Sequence, residues 1–155
     1  MTVVKSVDRT SNPPQQPTRP KRRAAERQRR WASMRLSFLP DGSPDCPLLL
    51  LSHFTSEDVA VLRRVARDLA NGDRRRAGIE ECMGAQAEPQ LQFSVDERDR
   101  GILCTPPKFE CLLTRATWWQ VEGLIEPCLS QSATGYQWLD QSGEVALLLS
   151  RDGTW

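Results

Sequence analysis

Apolar and polar residues follow the same order in two stretches of the chain that lie 62 positions apart. Leu50 to Val59 aligns with Leu112 to Val121, and Leu62 then falls on Leu124. In each copy an apolar run predicts a buried strand. A short polar link then leads into apolar residues spaced three and four apart, a pattern typical of a helix. The chain therefore contains an internal duplication.

Capping signals predict where the two helices begin and end. Thr55 and Thr117 each stand three residues before an Asp or Gln, so each threonine is predicted to cap a helix. Gly72 favours the left-handed conformation that ends the first helix, and Pro127 predicts that the second helix bends or stops near Glu126. The apolar stripe of the second helix is predicted to comprise Trp118, Val121, Leu124, Ile125, Cys128 and Leu129.

Further apolar runs and turn signals predict hairpins before, between and after the two helices, in the order β-β-α-β-β-β-α-β-β. We therefore expect an α+β fold with a mainly antiparallel sheet and two packing helices. A single domain is predicted for residues 34–155, with pseudo-repeats at about 34–105 and 106–155. Residues 73–89 fit neither repeat and are predicted to be a loop or a short polar helix.

Two strands raise the question of what covers the sheet. Leu48 to Leu51 and Ala146 to Leu149 are unbroken apolar runs, which is typical of strands buried on both faces. The two helices would most simply pack on one face. The other face then requires the segment from Lys21 to Arg35, an identical subunit or another protein, unless the sheet curls and covers itself.

Charge divides the chain into two parts. Residues 1 to 31 hold nine basic and two acidic groups, a net charge of +7, whereas residues 32 to 155 have a net charge of −6. The composition of residues 1–33, Pro-rich and then Arg-rich, predicts a disordered tail. Its arginines suit contacts with phosphate or carboxylate, although a tail that is merely solvated is an alternative interpretation. The basic group comprises Lys21, Arg22, Arg23, Arg27, Arg29 and Arg30.

Tryptophan is the best indicator of a binding surface. Trp118 and Trp119 are adjacent in the predicted second helix, so both cannot face the core. At least one is predicted to be exposed or to lie at an interface, where tryptophan is a preferred anchor. The alternative is that Trp119 folds back over the strand ends. Trp31 follows the basic run and is a third candidate for partner contact.

Candidate chemistry is sparse. His53 is the only histidine, and it aligns with Arg115 in a predicted surface link, so catalysis by His53 has little support. Cys104 and Cys111 flank a predicted turn. Two interpretations are possible: the two residues pair in a disulfide, or they are separate buried thiols. The five cysteines and single histidine have no zinc-like spacing. We predict no catalytic residue, no metal and no cofactor.

Together these patterns predict a non-enzymatic binding or regulatory module. It would associate with a protein partner, or with itself, through an apolar sheet face and an exposed tryptophan, and the basic tail would add electrostatic contact. The alternative is a nucleic-acid or ribonucleoprotein-associated protein that grips phosphate with Lys21 to Arg30. No membrane association is predicted, and the cysteine usage favours a reducing, cytoplasmic location.

Overall fold

The computed structural model describes residues 34–42, 47–83, 88–130, 132 and 134–155. The predicted tail at residues 1–33, with Trp31 and the six basic residues between Lys21 and Arg30, lies outside the described residues. The elements of the described residues are β1 (Arg35–Leu39), β2 (Leu48–Ser52), α1 (Ser56–Asn71), β3 (Arg76–Gly78), α2 (Glu80–Met83), β4 (Gln90–Val95), β5 (Gly101–Thr105), β6 (Lys108–Leu113), α3 (Arg115–Ile125), a 3-10 turn (Glu126–Leu129), β7 (Tyr136–Asp140) and β8 (Ala146–Ser150).

The strands form two four-stranded mixed sheets, which confirms the α+β class. The first sheet has the order β1-β2-β8-β7 and the second the order β3-β4-β6-β5. In each sheet the central pair, β2 with β8 or β4 with β6, is parallel, and the outer pairs are antiparallel. The unit β1-β2-α1-β3-β4 therefore matches β5-β6-α3-β7-β8, and each sheet takes one strand pair from each unit.

The connection between α1 and β4 differs from the prediction of a loop or a short polar helix. It contains both a strand, β3, and a single helical turn, α2. The strand forms because Ala77 pairs with Phe93 of β4 and is itself buried. Ile79 and Cys82 are also buried, so this segment contributes apolar contacts that its short length and polar neighbours conceal in the sequence.

Both long helices pack against each other and against the inner faces of both sheets, forming one core. The helix α1 begins at the predicted cap, where Thr55 accepts a hydrogen bond from the Asp58 amide and Asp58 accepts one from the Thr55 amide. It ends at Gly72, which has a φ of 83° and is thus left-handed, as predicted. Pro127 follows the end of α3 at Ile125, again as predicted.

The second helix begins three residues earlier than the sequence alignment predicts. Its N-cap is Thr114, whose side chain accepts a hydrogen bond from the Thr117 amide. After Leu51 the first copy has three residues, Ser52, His53 and Phe54, before its cap, whereas Leu113 of β6 directly precedes Thr114. The helices are therefore related by an offset of 59 (Thr55 to Thr114) and the strands by 62 (Leu51 to Leu113).

The central strands of the first sheet are buried on both faces, as predicted. Leu49 and Leu51 face the main core, while Leu48 and Leu50 lie on the opposite, outer face. There they pack with Ala146 and Leu148, and with Leu39 and Trp138, which are only partly buried. These four residues are buried within the chain itself, and the partner contact through this apolar sheet face stays a prediction. The prediction that the segment from Lys21 to Arg35 covers this face falls mostly on residues 21–33, which lie outside the described residues.

Candidate functional site

The candidate site is the outer surface of α3, and a loop carboxylate fixes where this helix begins. Asp99, in the link between β4 and β5, accepts hydrogen bonds from the Thr114 amide at 2.6 Å and the Thr117 hydroxyl at 2.7 Å. Burial raises the pKa of Asp99, but these hydrogen bonds outweigh that effect and lower the pKa overall. The first turn of α3 is therefore anchored by a carboxylate that lies 15 residues before the helix cap in the sequence.

Trp118 locks the inner side of α3 into the core. Its indole is buried, and Nε1 donates a hydrogen bond to the Ser94 carbonyl oxygen at 3.1 Å. The ring meets Phe93 edge to face, with centroids 5.5 Å apart. Trp118 is therefore not available to a partner, and its place in the predicted partner-binding set is corrected. With the helix offset of 59, it corresponds to the buried Val59 rather than to Ser56.

Trp119 points away from Trp118 and toward solvent, because successive helical residues are about 100° apart. Its side chain is 49% exposed, which agrees with the prediction that one of the two tryptophans faces solvent. Leu124 is 36% exposed and is not part of the buried stripe that the sequence predicted. We call the exposed, uncharged residues on this side of α3 and the following turn the Trp119 face: Ala116, Trp119, Gln120, Gly123, Leu124 and Pro127.

Gly123 lies one helical turn after Trp119 on the same face. A Cβ atom added there would meet nothing within 4 Å, so packing within the chain does not require glycine. Glycine in a helix interior costs about 0.5–1 kcal/mol relative to alanine. The Trp119 face therefore combines a large projecting ring with a stretch of backbone at Gly123 that none of the described residues covers.

Charged residues stand at the edges of this face. Arg115 is exposed at the start of α3, where its guanidinium lies against Gly72, and Glu126 follows the last helical residue. Glu122 lies on the side toward α1, where Oε1 accepts hydrogen bonds from Arg63 Nε at 2.7 Å and Arg67 Nη2 at 2.6 Å. The bond from Arg67 lowers the pKa of Glu122 most, burial opposes it, and Arg63 lowers the pKa further. This ion pair holds α3 in a fixed position on α1.

The second sheet carries a different kind of surface. An open cavity of about 700 Å³ lies along its outer face and includes Gln90, Gln92, Lys108 and Glu110. Leu103 projects into the same region and is 41% exposed. The lining combines amide and charged side chains with the apolar Leu91, Leu103 and Phe109, so it offers an occupant both hydrogen bonds and apolar contact.

The residues considered for covalent chemistry lie apart from these surfaces. His53 occupies the strand-to-helix link with a φ of 56°, and its Nδ1 lies 2.9 Å from the Ser52 hydroxyl. Among the described residues, no hydrogen bond joins His53 to a carboxylate. Cys104 and Cys111 are free, because Cys104 faces Phe109 and Cys111 faces Ile102 across the hairpin.

No group of three or more His, Cys, Asp or Glu side chains within the described residues is arranged to hold a metal ion. The described part of the chain also has no helix that is both long and apolar enough to span a bilayer. The chain matches no protein-family model, and no curated protein or solved structure matches it significantly.

Proposed function

We propose that this protein is a non-enzymatic binding module that recognises a protein partner through the Trp119 face of α3. The observation that carries the proposal is the half-exposed indole of Trp119 on an uncharged helix surface. Tryptophan is enriched among the residues that dominate binding energy at protein interfaces. The exposed charged residues beside this face, Arg115 and Glu126, stand at its two ends, and charged residues are depleted at the cores of interfaces.

Rigidity supports the same proposal. The Asp99 cap, the Trp118 anchor and the Glu122 ion pair all hold α3 on the rest of the chain without using the Trp119 side chain. A partner that binds an already ordered helix loses less free energy in ordering the interface. The Trp119 face is thus a fixed surface.

The basic tail adds an electrostatic element to this proposal. Its net charge of +7 favours contact with an acidic region of the same partner, and the −6 of the remaining chain favours a partner surface that is not strongly acidic elsewhere. The alternative function, nucleic-acid association through Lys21 to Arg30, rests on this charge alone. If all six basic groups met phosphate, log affinity would fall against log salt with a slope of roughly −5.

The test compares three tagged forms of the full chain as baits: the unaltered protein, Trp119→Ala and Trp155→Ala. Trp155 is the matched control because its side chain is also about half exposed but lies at the C-terminus. Captured proteins are quantified by mass spectrometry, and circular dichroism confirms that each bait is folded. We expect Trp119→Ala to lose a specific partner that Trp155→Ala retains.

Equal recovery of every captured protein by all three folded baits would refute the proposal. To examine the alternative, the same baits are applied to labelled RNA and DNA at several salt concentrations. Retention that disappears when residues 1–31 are deleted, and that is insensitive to Trp119→Ala, would support nucleic-acid association instead.

A further inference from the structure

We infer that the partner of the Trp119 face is a second copy of this chain, bound by antiparallel pairing of the two α3 helices about a two-fold axis. This inference rests on the proposed function, since it names the occupant of the same surface. It follows from the shape of the face, from the charges at its two ends and from a glycine that the isolated chain does not need.

The face is complementary to itself. Trp119 projects from it, and Gly123, one turn further along, leaves the helix backbone bare. In a two-fold interface, residue i of one copy contacts residue j of the other, and residue j contacts residue i in return. An axis passing between Trp119 and Gly123 places each indole on the other copy's glycine. The close approach of a second helix thus explains why glycine occupies a position where a Cβ atom would have free space.

The charges at the ends select the antiparallel direction. Arg115 directly precedes the first residue of the face, Ala116, and Glu126 is next to its last residue, Pro127. In the antiparallel pairing with Trp119 opposite Gly123, Arg115 of each copy comes next to Glu126 of the other. A parallel pairing would place Arg115 beside Arg115 and Glu126 beside Glu126, and like charges repel. Glu126 also approaches Arg63 of its own chain, at 3.3 Å, but its side chain remains 62% exposed.

The size of the face sets the expected strength. Eleven helical residues form α3, and only one side of them is exposed, so the contact is smaller than the roughly 1,600 Å² of a standard stable interface. We therefore expect a reversible dimer that forms at micromolar to millimolar concentration, on the order of 10⁻⁵ to 10⁻³ M.

The experiment is sedimentation equilibrium on the full chain from about 1 µM to about 1 mM, the range that this affinity requires. The unaltered protein is expected to shift from monomer to dimer mass, and Trp119→Ala to remain monomeric. Trp155→Ala, the exposed control, is expected to dimerise like the unaltered protein. Oppositely charged variants test the direction: Arg115→Glu and Glu126→Arg each weaken association, and the double variant recovers it.

The variant Gly123→Ala best distinguishes a loss of dimerisation from a loss of folding. Alanine favours the helix, so the thermal midpoint of the dilute monomer is expected to rise by about 2–5 °C. The added methyl group occupies the space for the second indole, so dimerisation should weaken at least about tenfold. A variant that is more stable yet associates less cannot be explained by loss of fold.

A chain that remains monomeric throughout the concentration range would overturn the inference, and so would a dimer that Trp119→Ala and Gly123→Ala leave unchanged. If the chain is monomeric but Trp119→Ala still loses a captured heterologous protein, the inference fails while the proposed function stands. If neither self-association nor capture depends on Trp119, both fail.

Discussion

The outer faces of the two sheets differ sharply, although their strands run in the same order and directions. In the first sheet Leu48 and Leu148 are fully buried. At the second sheet Gln92 and Lys108 border an open cavity instead. Strand order determines which residues share a face, but the side chains decide whether that face is closed. The first sheet has unbroken apolar runs and a buried outer face, whereas apolar and polar residues alternate in β4 of the second sheet, whose outer face is open to solvent.

The two long helices show the same divergence. At the offset of 59, Val59 corresponds to Trp118 and Ala60 to Trp119, so the large rings belong to α3 alone. Arg63 corresponds to Glu122, and the two form an ion pair between the helices. If the two helices had identical sequences, residues of the same charge would meet at these two positions. Divergence of the halves has thus created both a stabilising contact and a one-sided exposed surface.

The largest difference in the free energy of unfolding is expected between alanine variants of the two adjacent tryptophans. Trp118→Ala removes a fully packed ring and its hydrogen bond to Ser94, and should lower the free energy of unfolding by about 3–5 kcal/mol. Trp119→Ala removes a half-exposed ring and should change it by less than about 1 kcal/mol. Urea denaturation followed by circular dichroism measures both. Similar losses in the two variants would contradict the assignment of inner and outer sides of α3.

The next comparison concerns the two outer sheet faces. Leu48→Ala should lower the free energy of unfolding by about 2–5 kcal/mol, because the side chain is fully buried. Gln92→Ala, on the exposed face of the second sheet, should change it by no more than about 0.5 kcal/mol. Thermal and urea unfolding of both variants check this. A small loss for Leu48→Ala would mean that the first face is not closed in solution.

An intermediate effect is expected at the ion pair between the halves. Glu122→Gln removes the carboxylate that Arg63 and Arg67 contact, and should cost about 1–2 kcal/mol at pH 7, since Arg67 is half exposed. The pKa of Glu122 is lowered in the folded state. Its contribution is therefore complete above the unfolded pKa of about 4.3 and is lost as the pH falls through the lower, folded pKa.

The measurement is urea denaturation of the unaltered protein and Glu122→Gln between pH 7 and pH 3. The difference between them should be constant down to about pH 4.3 and then shrink. Asp96→Asn is a suitable control, because Asp96 forms an ion pair with Arg100 only at the surface, at 3.2 Å. A difference that grows as the pH falls would have the wrong sign for this ion pair.

The sequence predicted the duplication because short-range patterns encode it. Apolar runs, the Thr55 cap and Gly72 act locally, so they could be recognised without tertiary contacts. The exchange of strand pairs between sheets could not be predicted, because parallel pairing of β2 with β8 joins residues about a hundred positions apart. The sequence also gives no direct sign of how many residues separate a strand from its helix.

The different number of residues between strand and helix in the two copies explains why Trp118 was wrongly predicted to contact a partner. A single offset of 62 set Trp118 opposite the polar Ser56, whereas the missing link residues shift the helices to an offset of 59. The prediction that at least one of the two tryptophans is exposed agrees with the structure, in which Trp119 is the exposed one. The anchoring role of Asp99 depends on a contact fifteen residues away with Thr114, which no local pattern encodes.

The last comparison concerns the reactivity of thiols at core positions rather than a change in stability. Cys111, on the inner face of β6, corresponds to Leu49 in the first half, and burial raises its pKa. Burial also raises the pKa of Cys82 from 9.0 to about 12, which leaves about 10³-fold less thiolate at pH 8. Iodoacetamide should therefore label the half-buried Cys104 and Cys128 of the native protein well before Cys82 and Cys111.

Peptide mapping by mass spectrometry measures these labelling rates, and the same reaction in urea is the control, because all thiols should then react alike. Native protection of Cys111 reports directly on the closed inner face of the second sheet. Because alkylation requires both access and thiolate, Cys111 can react only when this half opens. Rapid native labelling of Cys111 would show that the second sheet, open on its outer face, also opens on its inner one, and that the two halves differ in core stability as well as in surface.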